Sequence, residues 1–129
     1  KVLDVAEIRQ MQDLKTGALI SASVLMGAQA QGATDDMLAS LASYADKLGY
    51  AFQIADDLLD ALSDAEQLGK PAGRDAEQNK ASLVSLLGLE EAQQITVQLA
   101  QDAEQALSQF GSAADDLVAL ARFAVNRSY

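Results

Sequence analysis

An apolar stripe through residues 38–62 sets the strongest limit on how this chain can fold. Leu38, Leu41, Ala45, Leu48, Phe52, Ala55, Leu59 and Leu62 recur at spacings of three and four. That rhythm lines one face of an α-helix and calls for neighbouring helices to cover it. Composition points the same way. Half of the 129 residues are apolar, only 5% are aromatic, and proline occurs once. The core must be built from Leu, Ala, Val and Ile, and Leu and Ala favour helix. The expected fold class is all-α, in one domain or part of one.

The same helix carries an electrostatic problem. Within LGYAFQIADDLLDAL, Leu48 to Leu62, stand three aspartates, Asp56, Asp57 and Asp60. Burying an unpartnered carboxylate costs several kcal/mol in practice. With Leu48 at zero and about 100° per residue, Asp56 falls near 80°, Asp60 near 120°, Gln53 near 140° and Asp57 near 180°. Gln53, Asp56 and Asp60 thus form a ladder of oxygen ligands, each one turn apart, on the flank of the apolar arc. Like charges one turn apart repel, and a divalent cation would reverse the sign.

The candidate cation follows by elimination. The chain has neither cysteine nor histidine, which removes thiolate and imidazole ligands, disulfides and the Ser-His-Asp triad. A hard, oxygen-liganded ion such as Mg²⁺ remains. Mg²⁺ takes one or two carboxylates and completes its shell with water and phosphates, so the expected ligand is a phosphate or diphosphate. The formal net charge is −10, which disfavours nucleic acid and repels anions unless cations intervene. Lys15, Lys70 and Lys80 are the candidate anion partners, although each alone reads as an ordinary surface lysine.

Along the chain, Asp4 and Glu7 have capping-box spacing. They open a helix to about Leu14 with Val5, Ile8 and Met11 as its apolar row. A second helix is expected from about Thr16 to Ala30, ending near Gly32. Residues 16–34 are uncharged but rich in Gly, Ser and Gln, which argues for a helix buried within protein rather than a membrane span. Thr34 caps the third helix, over 35–62, with Asp35 and Asp36 in its first turn. Residues 63–80 hold Gly69, Pro71 and Gly73 and read as a functional or disordered loop. Helices are expected around 81–87, from Glu90 to Phe110 with Ala92, Ile95, Leu99, Ala103, Ala106 and Phe110 inside, and from Ala113 to Asn126 with Leu117, Leu120, Ala121 and Ala124 inside. There is no basic-then-apolar leader and no initial Met, so the chain is expected to start inside a longer protein.

In combination, KTGALI at Lys15–Ile20, LGYAFQIADDLLD at Leu48–Asp60, LGK at Leu68–Lys70 and NKAS at Asn79–Ser82 resemble the C-terminal half of a trans-prenyltransferase. The nearest likeness within that polyprenyl diphosphate synthase family is to the bacterial farnesyl diphosphate synthases (geranyltranstransferases). It extends through SLLGLEEAQ at Ser85–Gln93 and the last helix. The resemblance implies that residues 1–129 are the C-terminal part of one isoprenoid-synthase helical bundle, with a mobile loop at about 63–80 that closes over substrate. It implies a cytoplasmic homodimer that uses Mg²⁺ to condense isopentenyl diphosphate with dimethylallyl or geranyl diphosphate, with no nucleic acid and no membrane span. By the same resemblance Asp56 would bind Mg²⁺, supported by Asp60 and less directly by Asp57. Lys15 and Lys70 would contact the allylic diphosphate. Thr16 and Gln53 would face its reacting carbons, and Phe52 would line the isopentenyl side. Lys80, near Asp75, would stabilise the closed loop or the metal site.

The family also carries an earlier aspartate-rich motif, and nothing in residues 1–14 supplies it. This chain alone is therefore expected to be inactive, with an apolar surface exposed where further helices belong. Two other readings stand beside the enzyme: a non-catalytic subunit of a heteromeric prenyl synthase, and an acidic helical interaction module.

Overall fold

A computed structural model describes residues 2–68 and 83–126; the side chains of Lys15 and of residues 64–68 lie outside the description. Every described element is helical, as the spacing predicts. They are α1 Val5–Gln12, a π-helical turn Asp13–Gly17, α2 Ala18–Ala30, α3 Asp35–Leu68, α4 Leu83–Leu87, α5 Leu89–Ala106, a 3₁₀ segment Ser108–Ala114 and α6 Asp115–Asn126.

The helix ends follow local chemistry. The Asp4 carboxylate accepts the Glu7 N–H at 2.8 Å, and the Glu7 carboxylate accepts the Asp4 N–H at 3.0 Å, a reciprocal cap on α1. Thr34 Oγ1 accepts the Met37 N–H and caps α3. At the far end of α2 the Ala33 N–H donates to Ala28 O and the Gly32 N–H to Gln29 O. This Schellman closure places Gly32 at φ 76°, where a side chain would be strained.

The long helix α3 is the axis of the bundle, and two cores flank it. One joins Ile8 of α1, Tyr50, Ile54 and Leu58 of α3, Leu83 and Val84 of α4, and Ala92 of α5. The other joins Tyr44 and Leu48 of α3 to Ala103, Leu107 and Ala114, and to Ala121 and Ala124 of α6. Tyr44 is fully buried, and its hydroxyl donates to Leu117 O at 2.8 Å, tying α3 to α6. Burial pushes its pKa up to about 12.

Several expectations need correction. The first two helices are one continuous rod, because residues 13–17 unwind into a wider π turn rather than break. On α1 it is Ile8 and Gln12 that are buried, one turn apart, while Val5 and Met11 are exposed. The third helix runs on through Leu68, so the loop expected from residue 63 starts at least six residues later; its remainder, residues 69–80, lies outside the description. The helix from residue 89 stops at Ala106, and Phe110 sits in the 3₁₀ segment, where the backbone turns at Gly111. α2 has no buried residue, against the expectation of a buried helix. It packs on α3 along one side only, and an all-apolar helix covered on one side must expose the other. Leu120 of α6 is exposed for a related reason: it faces the same open groove as α2.

Candidate functional site

The site forms where the π turn lies against α3. In that turn the Ala18 N–H bonds to Asp13 O, five residues back, and such single-turn bulges redirect side chains. The turn can approach α3 because glycine meets glycine. A Cβ built on Gly49 of α3 would come within 3.2 Å of the Gly17 Cα. The close contact brings Thr16 onto α3, where its Oγ1 lies 3.1 Å from Gln53 Oε1.

From Gln53 the polar contacts continue inward. Gln53 Nε2 is 3.5 Å from Asp57 Oδ1, a long bond, and Gln12 Nε2 is 3.2 Å from Asp57 Oδ2. Gln12 is 5% exposed, and its Oε1 is buried with no hydrogen-bond partner among the described residues. Asp57 is thus held from both sides by amide nitrogens. Asp56 is half-buried and Asp60 exposed. Among the described residues no three acids converge on one point. Asp56 and Asp60 stand one turn apart on α3 and are of a type that could hold a hard cation, while Asp57 makes hydrogen bonds to Gln12 and Gln53.

Beside the polar chain runs an apolar groove of about 500 Å³. Thr16, Leu19, Ile20, Ser23 and Val24 form one wall, Leu48 and Phe52 the floor, and Leu120, Phe123 and Ala124 the other wall. Thr16 belongs both to the groove and to the polar chain. Arg9 braces the arrangement from behind. Its Nη2 lies 3.0 and 2.9 Å from the two oxygens of Asp46, its Nε lies 3.3 Å from Asp13, and its guanidinium carbon stacks 3.9 Å over the Tyr50 ring. Burial opposes the Arg9 charge, but Asp46 and Asp13 outweigh it and raise its pKa. For Tyr50, by contrast, burial raises the pKa, with Arg9 pulling against it.

Of the residues singled out in the sequence, the structure brings together Thr16, Phe52, Gln53 and Asp57, with Asp56 and Asp60 on the same helix as the last three. Lys15 lies in the π turn, with its side chain outside the description; Lys70, Asp75 and Lys80 lie outside the described residues. Sequence reasoning missed Gln12 and Gly49. A signal for Gln12 was present, since it follows Ile8 by four residues and is the polar member of the buried row.

An aspartate-rich motif on the central helix, beside an apolar groove in an all-helical bundle, defines an isoprenoid-synthase type of protein. Comparison with known proteins makes this specific: a polyprenyl synthetase family model matches residues 1–117, and the chain belongs to that family. It is 39% identical over 98% of its length to a dimethylallyltranstransferase of Fischerella ambigua and 41% identical over 88% to a geranylgeranyl diphosphate synthase of Cyanophora paradoxa. Its structure matches a putative farnesyl-diphosphate synthase from Marinomonas sp. MED121 with a TM-score of 0.80, at 38% identity over 98% of the chain. An FPP/GFPP synthase from Zymomonas mobilis matches with the same score. The chain spans 37% and 38% of the two relatives and 42% and 39% of the two solved structures. Among the described residues no helix is long and apolar enough to cross a membrane.

Proposed function

We propose that this chain is the C-terminal part of a Mg²⁺-dependent, homodimeric, cytoplasmic prenyltransferase that condenses isopentenyl diphosphate with dimethylallyl or geranyl diphosphate. The observation that carries the reading is the contact of Thr16, which lines an apolar groove, with Gln53 on α3, the helix that bears Asp56 and Asp60. In the proposed reaction the allylic C–O bond breaks and its electron pair leaves on the diphosphate. The isopentenyl double bond attacks the allylic cation, and the new cation loses a proton.

Each group on this chain has a part in that chemistry. The carboxylates of Asp56 and Asp60 suit a hard cation that keeps most of its shell for water and phosphate oxygens. Bound there with a diphosphate, Mg²⁺ would stabilise the leaving charge. Lys15 and Lys70 would contact the allylic diphosphate, and Lys80 would hold the closed loop or the metal site. The oxygens of Thr16 and Gln53 would face the allylic carbons as positive charge develops. Phe52 would line the isopentenyl side, and the groove would keep water from the cation. Asp57 supports the metal site indirectly, through its amide contacts.

The test is an assay of the protein bearing this chain with Mg²⁺, isopentenyl diphosphate and each allylic diphosphate. A farnesyl product is expected. A geranylgeranyl product would change the assigned chain length and leave the reaction class standing; no condensation at all would remove the class. Asp56→Ala should abolish the coupling between Mg²⁺ and diphosphate binding, and equal coupling in that variant would overturn the metal assignment. The 129-residue chain alone should give no product, and any turnover by it would refute that expectation.

A further inference from the structure

We propose that Gln12 is a positioning residue: acting through Asp57, it fixes the Gln53 amide and hence the direction of the Thr16 hydroxyl. The inference rests on the roles proposed above for Thr16 and Gln53, and it adds a residue on a different helix that touches neither substrate.

The hydrogen-bond directions follow from one fact. An ionised carboxylate only accepts. Asp57 therefore takes the amide nitrogen of Gln12 on Oδ2, at 3.2 Å, and that of Gln53 on Oδ1, at 3.5 Å. With its nitrogen committed to Asp57, Gln53 must turn Oε1 toward Thr16, and at 3.1 Å the Thr16 hydroxyl must be the donor. Its proton then points at Gln53, and its lone pairs are left for the groove that Thr16 lines. A hydroxyl so fixed offers negative density, not a proton, to a developing cation.

Gln12 is the anchor of this chain. It lies 45 residues from Asp57 in sequence, on α1, and is buried. Its own Oε1 has no hydrogen-bond partner among the described residues. A buried amide left with an open acceptor is a poor choice for stability alone, which favours a positioning role. Without Gln12 the Asp57 carboxylate loses one amide donor, which loosens the already long contact to Gln53.

The variant Gln12→Met keeps length and burial but donates nothing. In the full-length protein it should lower kcat about tenfold, the scale of a mispositioned reacting group, with the KM for the allylic diphosphate within about twofold and the thermal midpoint nearly unchanged. Gln12→Glu, which sets a second acid against Asp57, should be worse. In a Gln53→Ala background, Gln12→Met should cost nothing further, because both act through one amide. Unchanged kcat in Gln12→Met, or losses that simply multiply with those of Gln53→Ala, would overturn the proposal. Should the wild-type protein form no prenyl product, the proposed reaction fails and the relay is judged separately. In ¹⁵N spectra of this chain, the Gln53 side-chain amide must shift in Gln12→Met; an unmoved resonance would sink the relay.

Discussion

The helices α2 and α3 are both rich in apolar residues and differ in how they are covered. α3 runs between two cores, and Tyr44, Ala45, Leu48, Tyr50, Ala51, Ile54, Ala55 and Leu58 are all buried along it. α2 buries nothing fully, leaving Leu19 71% and Met26 67% exposed. Apolar content alone therefore does not decide burial; what decides it is how many sides of a helix meet a partner. α3 has α1, α4 and α5 around one half and α5, α6 and α2 around the other, whereas α2 has α3 on one side and the open groove on another. The candidate site residues Thr16, Phe52 and Gln53 sit at the seam between the two, where a covered helix meets a half-covered one.

The largest expected effect breaks the covered helix. Ile54 is fully buried in the first core, and Ile54→Ala should cost about 2–5 kcal/mol through lost transfer energy and the cavity left behind. Chemical denaturation of this chain reads it directly; a loss below 1 kcal/mol would mean that α3 is not the axis. Tyr44→Phe comes next. It keeps the ring and removes only the bond to Leu117 O, so about 1 kcal/mol is expected. A change larger than that for Ile54→Ala would reverse the ranking of packing over this hydrogen bond.

Much of this contrast was legible in the sequence, and the parts that were not share a cause. The Asp4–Glu7 box, the Thr34 cap and the stop at Gly32 are local, carried by residues within a few positions of each other, and the structure has all three. The stripe on α3 is likewise a property of one helix. The π turn is not: it depends on Gly17 meeting Gly49, and no run of residues from 13 to 17 announces that contact. Asp57 is similar. On a helical wheel it lies opposite the stripe, which suggests solvent, but α1 brings Gln12 to that side. The exposure of α2 was masked because uniform apolarity signals only a demand for cover, without saying what in the fold meets it.

The half-covered helix gives a smaller and opposite result. Leu19→Ser should change stability by no more than about 0.5 kcal/mol, as for most surface substitutions. It should also reduce self-association of this chain, since exposed apolar patches mark sites of contact. Sedimentation at rising concentration measures the second effect. A destabilisation approaching that of Ile54→Ala would show that α2 is covered after all, and would dissolve the comparison between the two helices.

The smallest effect separates surface charge from burial where α5 meets α6. Arg122 of α6 donates through Nε to Glu104 of α5 at 2.6 Å and through Nη2 at 3.1 Å. The bond from Arg122 holds the Glu104 pKa below its ordinary value, with slight burial opposing it. A carboxylate whose folded pKa is depressed adds stability above its unfolded pKa and loses it as pH falls toward the folded value. The contribution should be complete at neutral pH and fade as pH drops through the ordinary carboxylate range, near about 4.3. Glu104→Gln should therefore lower the thermal midpoint slightly at pH 7, less at high salt, and less still at pH 3. A difference between wild type and variant that is undiminished at pH 3 would mean that Glu104 contributes by packing rather than by charge. Neither result should disturb the groove, because the pair joins α5 to α6 outside the groove's lining.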